Sequence, residues 1–136
     1  MKTNKKLLFL VITLMIAFVG CKKYEDGPTF SPWPAKWRVV NTWKVEKTIT
    51  AGQTTTGSDD YTIEFKGDGT AISTMIFGGS TITTEGTWEF GSKKETLRVT
   101  SGSSTSEATI LRLTSNELWV KDIAGFETET HYISAK

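Results

Sequence analysis

The sequence predicts an all-β protein: a small up-and-down antiparallel barrel of about eight strands, preceded by a signal peptide and a proline-containing tether. Three observations carry this. From Trp37 to Lys136 there is no proline, the residue least compatible with a central strand, and threonine is abundant. Clusters of glycine and serine recur at short intervals, among them Gly57-Ser58, Gly67-Asp68-Gly69, Gly78-Gly79 and Ser101-Gly102-Ser103-Ser104; they mark turns between short apolar runs. Those runs alternate with a period of two, and none keeps a helical period over a useful length.

The elements follow in order. Residues 34–40 have room for one helical turn. Trp43, Val45 and Ile49 share a face of the first strand, with Lys47 between them. Tyr61, Ile63 and Phe65 alternate with Thr62 and Glu64 in the second. Ile72, Thr74 and Ile76 are expected on one face of the third. Ile82, Thr84, Gly86, Trp88 and Phe90 share a face of the fourth, with Gly86 at a bend or bulge. Leu97 and Val99 mark the fifth, Ala108, Ile110 and Leu111 to Leu113 the sixth, and Leu118-Trp119-Val120 the seventh. Phe126, Thr128, Thr130 and Tyr132 share a face of the eighth. Eight strands of about six residues with loops of about four to six fill roughly 80–90 residues, which the body accommodates. Sequential hairpins make the up-and-down meander the economical topology. Eight strands also leave a closed barrel just wide enough for packed side chains or one small ligand, and closure removes exposed strand edges.

Ahead of this body, Met1–Lys6 carries Lys2, Lys5 and Lys6, and Leu7–Val19 is apolar except for Thr13. That run is shorter than the roughly 20 residues a membrane-spanning helix needs. A basic start followed by a short apolar core is the layout of a secretory signal peptide. All three prolines, Pro28, Pro32 and Pro34, fall between residues 22 and 35, which reads as a semi-extended spacer. The expected division is therefore a cleaved signal peptide at 1–20, Cys21 with its tether at 21–36, and the barrel at 37–136.

Charge and composition exclude several functions. Formal charge is +1, from 16 basic and 15 acidic residues, and removing the three leader lysines leaves −2. There is no clustered basic charge for nucleic acid. A single cysteine, Cys21, excludes an intramolecular disulfide and a cysteine-based zinc site. A single histidine, His131, removes most hydrolase and metal constellations. No cofactor or metal is implied.

Two resemblances add to this reading. Phe18-Val19-Gly20-Cys21 resembles the lipobox of bacterial lipoproteins. The resemblance implies cleavage after Gly20, diacylglycerol on the sulfur of Cys21 and usually a third chain on the new amino group. The sulfur acts as thiolate. One myristoyl chain binds membranes only with K of about 10⁴ M⁻¹, whereas two make a stable anchor. The implied partner is a membrane, and the implied location is the outer membrane, on its periplasmic or cell-surface side. Lys22-Lys23-Tyr24-Glu25-Asp26 reads either as solvated spacer or as similar to the Lys-plus-acidic signals that send some lipoproteins of the Bacteroidota to the cell surface.

Within the body, Asn41-Thr42-Trp43-Lys44-Val45, Phe65-Lys66-Gly67-Asp68-Gly69-Thr70, Gly86-Thr87-Trp88 and Leu113-Thr114-Ser115-Asn116-Glu117-Leu118 stand in sequence. Their order resembles the lipocalin-like domain lipoproteins of the Bacteroidota, over essentially the whole mature body. A lipocalin-like barrel is implied. True lipocalins carry Gly-x-Trp in the first strand, where this chain has Asn41-Thr42-Trp43. They also carry an arginine near the last strand, where this chain offers His131 and Lys136.

The candidate binding residues are Trp43, Tyr61, Phe65, Trp88, Trp119 and Tyr132, whose rings would line a cavity or, equally, plug a solid core. Thr74, Thr84, Thr128 and Thr130 would be the polar groups of such a cavity. Lys66–Thr70 reads as a hairpin turn without the oxygen ligands of a calcium loop, and Ser58-Asp59-Asp60 as a solvated loop, the alternative being calcium coordination together with other loops. Glu129 and His131 share a strand face that is expected to be exposed, and no nucleophile–base set accompanies them. Trp33 and Trp37 either plug one barrel end or lie at a membrane interface. Function follows as a non-catalytic binding module for a small hydrophobic or amphipathic ligand. The alternative is an accessory subunit of an envelope complex, with a solid barrel and a protein partner. An internal void favours the first; a filled interior with an exposed apolar patch favours the second.

Overall fold

The computed structural model describes residues 23–28 and 31–136; Cys21 and the signal peptide lie outside the described residues. A one-turn helix, α1 (Ala35–Val39), leads into β1 (Thr42–Thr50). Then follow β2 (Gln53–Thr56), β3 (Tyr61–Phe65), β4 (Thr70–Phe77), β5 (Ser80–Phe90), β6 (Thr96–Ser101), β7 (Ser104–Leu113), β8 (Glu117–Asp122) and β9 (Glu129–Ser134). All pairings are antiparallel, and β9 returns to pair with β1, from Trp43↔Ser134 to Ile49↔Glu129. The sheet is an eight-stranded closed barrel with one extra strand.

The extra strand arises because β1 shares one edge between two partners. Its far half, Lys47–Thr50, pairs with β2; its near end, Thr42–Lys44, pairs with β3. β2 and β3 are thus one barrel strand interrupted at 57–60. The interruption faces a bulge in β1 between Val45 and Lys47, where the Gly57 N–H donates to the Glu46 carbonyl at 2.8 Å. Gly57 is required there, since a Cβ would overlap the carbonyl oxygen of Val45.

Antiparallel order sends alternate turns to opposite ends. The turns at Ala51-Gly52, Gly78-Gly79 and Gly102-Ser103 and the loop 123–128 form the open end. The turns at 66–69, 91–95 and 114–116 form the closed end, which α1 caps. Pro34 precedes the helix, where its missing N–H costs nothing. Val39 is fully buried, and Ala35 and Arg38 also face the barrel. The Trp43 indole N–H donates to the Val39 carbonyl at 2.9 Å, and Arg38 donates to the Leu113 carbonyl at 2.5 Å. Above this cap lie Phe65, Trp88, Leu97, Ile110 and Leu118.

Two expectations are corrected. The presumed spacer is part of the domain: Tyr24 is 3% exposed, its hydroxyl donates to the Lys94 carbonyl at 3.1 Å, and the Asp26 N–H donates to the Leu111 carbonyl at 2.8 Å. An aromatic ring held at the barrel's base outweighs the extended bias of the nearby prolines. In β4 the inward residues are Ala71 and Ser73 rather than Ile72, Thr74 and Ile76. The reason is register: Ala71 stands opposite Phe65 and Gly86, and Ser73 opposite Ile63 and Thr84, on the inner face, so the alternate residues Ile72, Thr74 and Ile76 face outward. At Gly86 the backbone of β6 approaches closely, since a Cβ there would overlap the Thr100 carbonyl oxygen.

Tyr24→Ala is expected to cost about 3 kcal/mol, as for other buried aromatic truncations, whereas a residue in a spacer would cost nothing. Gly57→Ala is expected to cost about 1–3 kcal/mol by overpacking. Urea denaturation of residues 22–136 checks both.

Candidate functional site

The alternation of β3, β6, β8 and β9 delivers one inward side chain in two, and above the core these leave a void. It measures about 270 Å³, just under the usual range of about 300–1,000 Å³ for small-molecule sites. Its apolar wall is Ile63, Phe65, Leu97, Val99, Leu118 and Val120. Ser106, Thr128 and Thr130 add hydroxyls, Tyr61 and Tyr132 add phenols, and Asp122 ends β8 near the open end. A side recess of about 90 Å³ shares Tyr61, Ile63 and Val99 and adds Ser73 and Thr84.

Among the described residues no Lys, Arg or His lines the void. Of the two acidic residues along it, Asp122 shares the inward face with Leu118 and Val120, whereas Glu107 stands opposite Arg98 and carries its carboxylate on the outer face. Glu107 is held by Thr96 at 2.6 Å and Arg98 at 3.1 Å, and those contacts keep its carboxyl below the usual range. Burial pushes the Tyr132 phenol up to about 12, with a further push from Tyr61. Burial also raises Tyr61. Both phenols are therefore neutral hydrogen-bonding groups at physiological pH.

The six aromatic candidates separate into three groups. Tyr61, Phe65 and Tyr132 line the void. Trp43 and Trp88 belong to the packed base beneath it; the Trp88 indole donates to the Lys66 carbonyl at 2.8 Å. Trp119 is a correction, since it faces outward. It pairs with His131 across β8 and β9, stacks on that ring at 4.0 Å and 11°, and lies under the Arg112 guanidinium at 5.2 Å. Leu118 and Val120 take the inward positions of that strand. His131, expected exposed, is 4% exposed because Trp119 covers it, and its Nε2 meets Glu129 at 2.5 Å.

Of the candidate hydroxyls, Thr128 and Thr130 line the void and Thr84 the recess, while Thr74 faces outward with Ile72. Sequence reasoning missed Ser73, Ser106 and Asp122. Their inward position follows from register alone, and no apolar pattern marks them. Asp68 accepts from the Thr70 N–H at 2.9 Å in the expected turn, and Lys44 pairs with Asp59 at 2.8 Å. Among the described residues no cluster of His, Cys, Asp and Glu has the makings of a metal site, and no helix is long and apolar enough to cross a membrane.

No protein-family model and no curated protein sequence matches the chain. Among solved structures it is similar to a lipocalin-like protein from Bacteroides uniformis ATCC 8492, with a TM-score of 0.63 and 10% identity over 71% of this chain and 98% of that one. It is also similar to an uncharacterized protein from Bacteroides eggerthii DSM 20697, with a TM-score of 0.59 and 10% identity over the same shares. A weaker likeness, with a TM-score of 0.46 and 12% identity over 77% of this chain and 80% of that one, is to Japanin from Rhipicephalus appendiculatus bound to cholesterol. The two Bacteroides structures establish a lipocalin-like fold.

The raised Tyr132 value has a stability consequence. The folded pKa of about 12 exceeds the unfolded value of 10.0, so the folded state holds its proton longer. Its contribution is fully present below pH 10 and is lost between pH 10 and about 12. Thermal melting across this window should fall, and Tyr132→Phe should flatten the fall.

Proposed function

We propose that this protein is a lipid-anchored, non-catalytic carrier whose barrel holds one small, uncharged amphiphile. The void lined by Tyr61 and Tyr132 carries the reading. Its apolar wall suits a short hydrocarbon body, and two neutral phenols with Thr128 and Thr130 suit a hydroxyl or carbonyl group. Without a basic side chain to meet it, a carboxylate would be buried near Asp122 at a desolvation cost. The anchor rests on the Phe18–Cys21 run. Acylation of Cys21 would hold the barrel at a membrane, for which the outer membrane is the proposed site.

Titration calorimetry of residues 22–136 with 1-octanol and octanoate at neutral pH tests the ligand class. The alcohol should bind at least about tenfold more tightly, equivalent to about 1.4 kcal/mol. Tyr132→Phe should weaken it by about 0.5–1.5 kcal/mol, and Val120→Trp should abolish binding by filling the void. Equal or tighter binding of octanoate would sink the uncharged-ligand assignment. For the anchor, Cys21→Ser should abolish palmitate labelling and release the chain from sedimenting membranes.

A second reading, a subunit that docks on another envelope protein, is favoured by one feature. Residues 80–86 of β5 pair with β4 alone, because β6 joins only from Thr87. The resulting arm projects at the open end with Met75, Ile76, Phe77 and Ile82 each about half exposed or more, and Phe77 at 75%. Its unpaired edge and apolar tip are a template for strand addition by a partner.

A further inference from the structure

We infer that the closed end of the barrel lies directly on the anchoring membrane, with Trp33 and Trp37 in its headgroup layer. This rests on acylation of Cys21, as proposed above. The first argument is chain length. Tyr24 is packed into the base of the barrel, and the Lys23 ammonium donates to the Lys93 carbonyl at 2.6 Å on the same end. Cys21 stands two positions before Lys23, and two extended residues span at most about 7 Å. Acyl chains on that cysteine therefore leave no slack, and the end of the barrel beside them must face the lipid.

The second argument is the surface presented there. Trp33 and Trp37 stack at 5.9 Å between centroids, yet stay 58% and 65% exposed, and Val40 beside them is 37% exposed. They do not plug the barrel; Val39 and Ala35 do. Two exposed indoles on the face nearest the acyl chains match the interfacial preference of tryptophan, an apolar ring with one polar N–H. Charge contributes little. Lys23, Lys36, Lys66, Lys93 and Lys94 are exposed at this end, but so are Glu25, Asp26, Asp68 and Glu95. The orientation should accordingly survive high salt, unlike one held by a polybasic patch.

The test uses the acylated protein purified from cell membranes and reconstituted into vesicles of phosphatidylethanolamine with a minority of phosphatidylglycerol, the acyl chains brominated near the headgroup. Bromine should quench tryptophan emission in the native chain, in low and in high salt. Trp33→Gln/Trp37→Gln should lose that quenching while remaining bound through its lipid. Adding Phe77→Trp to that double variant places an indole at the opposite end, and it should remain unquenched. Mass spectrometry of the same sample separates the two ways to fail. An acylated chain whose Trp33 and Trp37 are not quenched, or whose Phe77→Trp probe is, overturns the orientation. A chain without acyl mass overturns the anchor and the orientation with it.

Discussion

Strand β1 is the constraint on which the rest of the structure depends. It alone is hydrogen-bonded to three strands, giving one edge to β9 and dividing the other between β2 and β3. Closing the sheet through β1 pairs the two strands that would otherwise be its borders, leaving residues 80–86 of β5 as an exposed edge. The bulge at Glu46 lets one strand serve both purposes, because it shifts the register where β2 gives way to β3. Trp43, near the start of β1, fixes the other coordinate: fully buried and bonded to the Val39 carbonyl, it ties the helical cap to the barrel wall.

The barrel is graded along its axis as a result. At the closed end the Trp43 and Trp88 indoles and the Tyr24 phenol each donate to a backbone carbonyl, so these polar rings are buried with their donors paired. Above this base the inward residues include Val99, Val120, Ser106, Thr128 and Thr130, and space opens between them. The same gradient explains why only three of the six candidate rings reach the void. Rings low in the barrel are filler, and those at mid-height are wall. Trp119 is neither, because its strand turns it outward, where His131 and Arg112 sandwich it into a second, smaller packed layer on the outer surface.

Most of the strands were legible because alternation was intact. Ile82, Thr84, Gly86, Trp88 and the residues from Thr128 to Tyr132 state their face plainly. β2 was not legible: Gln53–Thr56 is polar throughout, and only its pairing with β1 makes it a strand. Leu118-Trp119-Val120 is apolar throughout, so its inward face depends on its neighbours' register and not on its own pattern. In β4 the alternation misled, since isoleucine was read as core where the register with β3 and β5 turns Ala71 and Ser73 inward. Tyr24 was hidden by its setting, a stretch beside prolines that has no period to read. Of the site, the aromatic and threonine members could be proposed from composition, whereas the lack of any base in the wall emerged only with the fold.

The pairing of β1 with β9 joins residues at opposite extremes of the domain, Trp43 with Ser134, and the Ala135 N–H donates to the Thr42 carbonyl at 2.9 Å. Every other contact between barrel strands links neighbours along the chain and can form early and locally. The seam cannot. Its loop-closure entropy spans nearly the whole domain. Cooperative assembly is thereby deferred until β9 meets β1, and before that the domain is an open sheet with two unpaired borders. Strand β9 therefore acts as a clasp, setting when the domain becomes a barrel as well as whether it does.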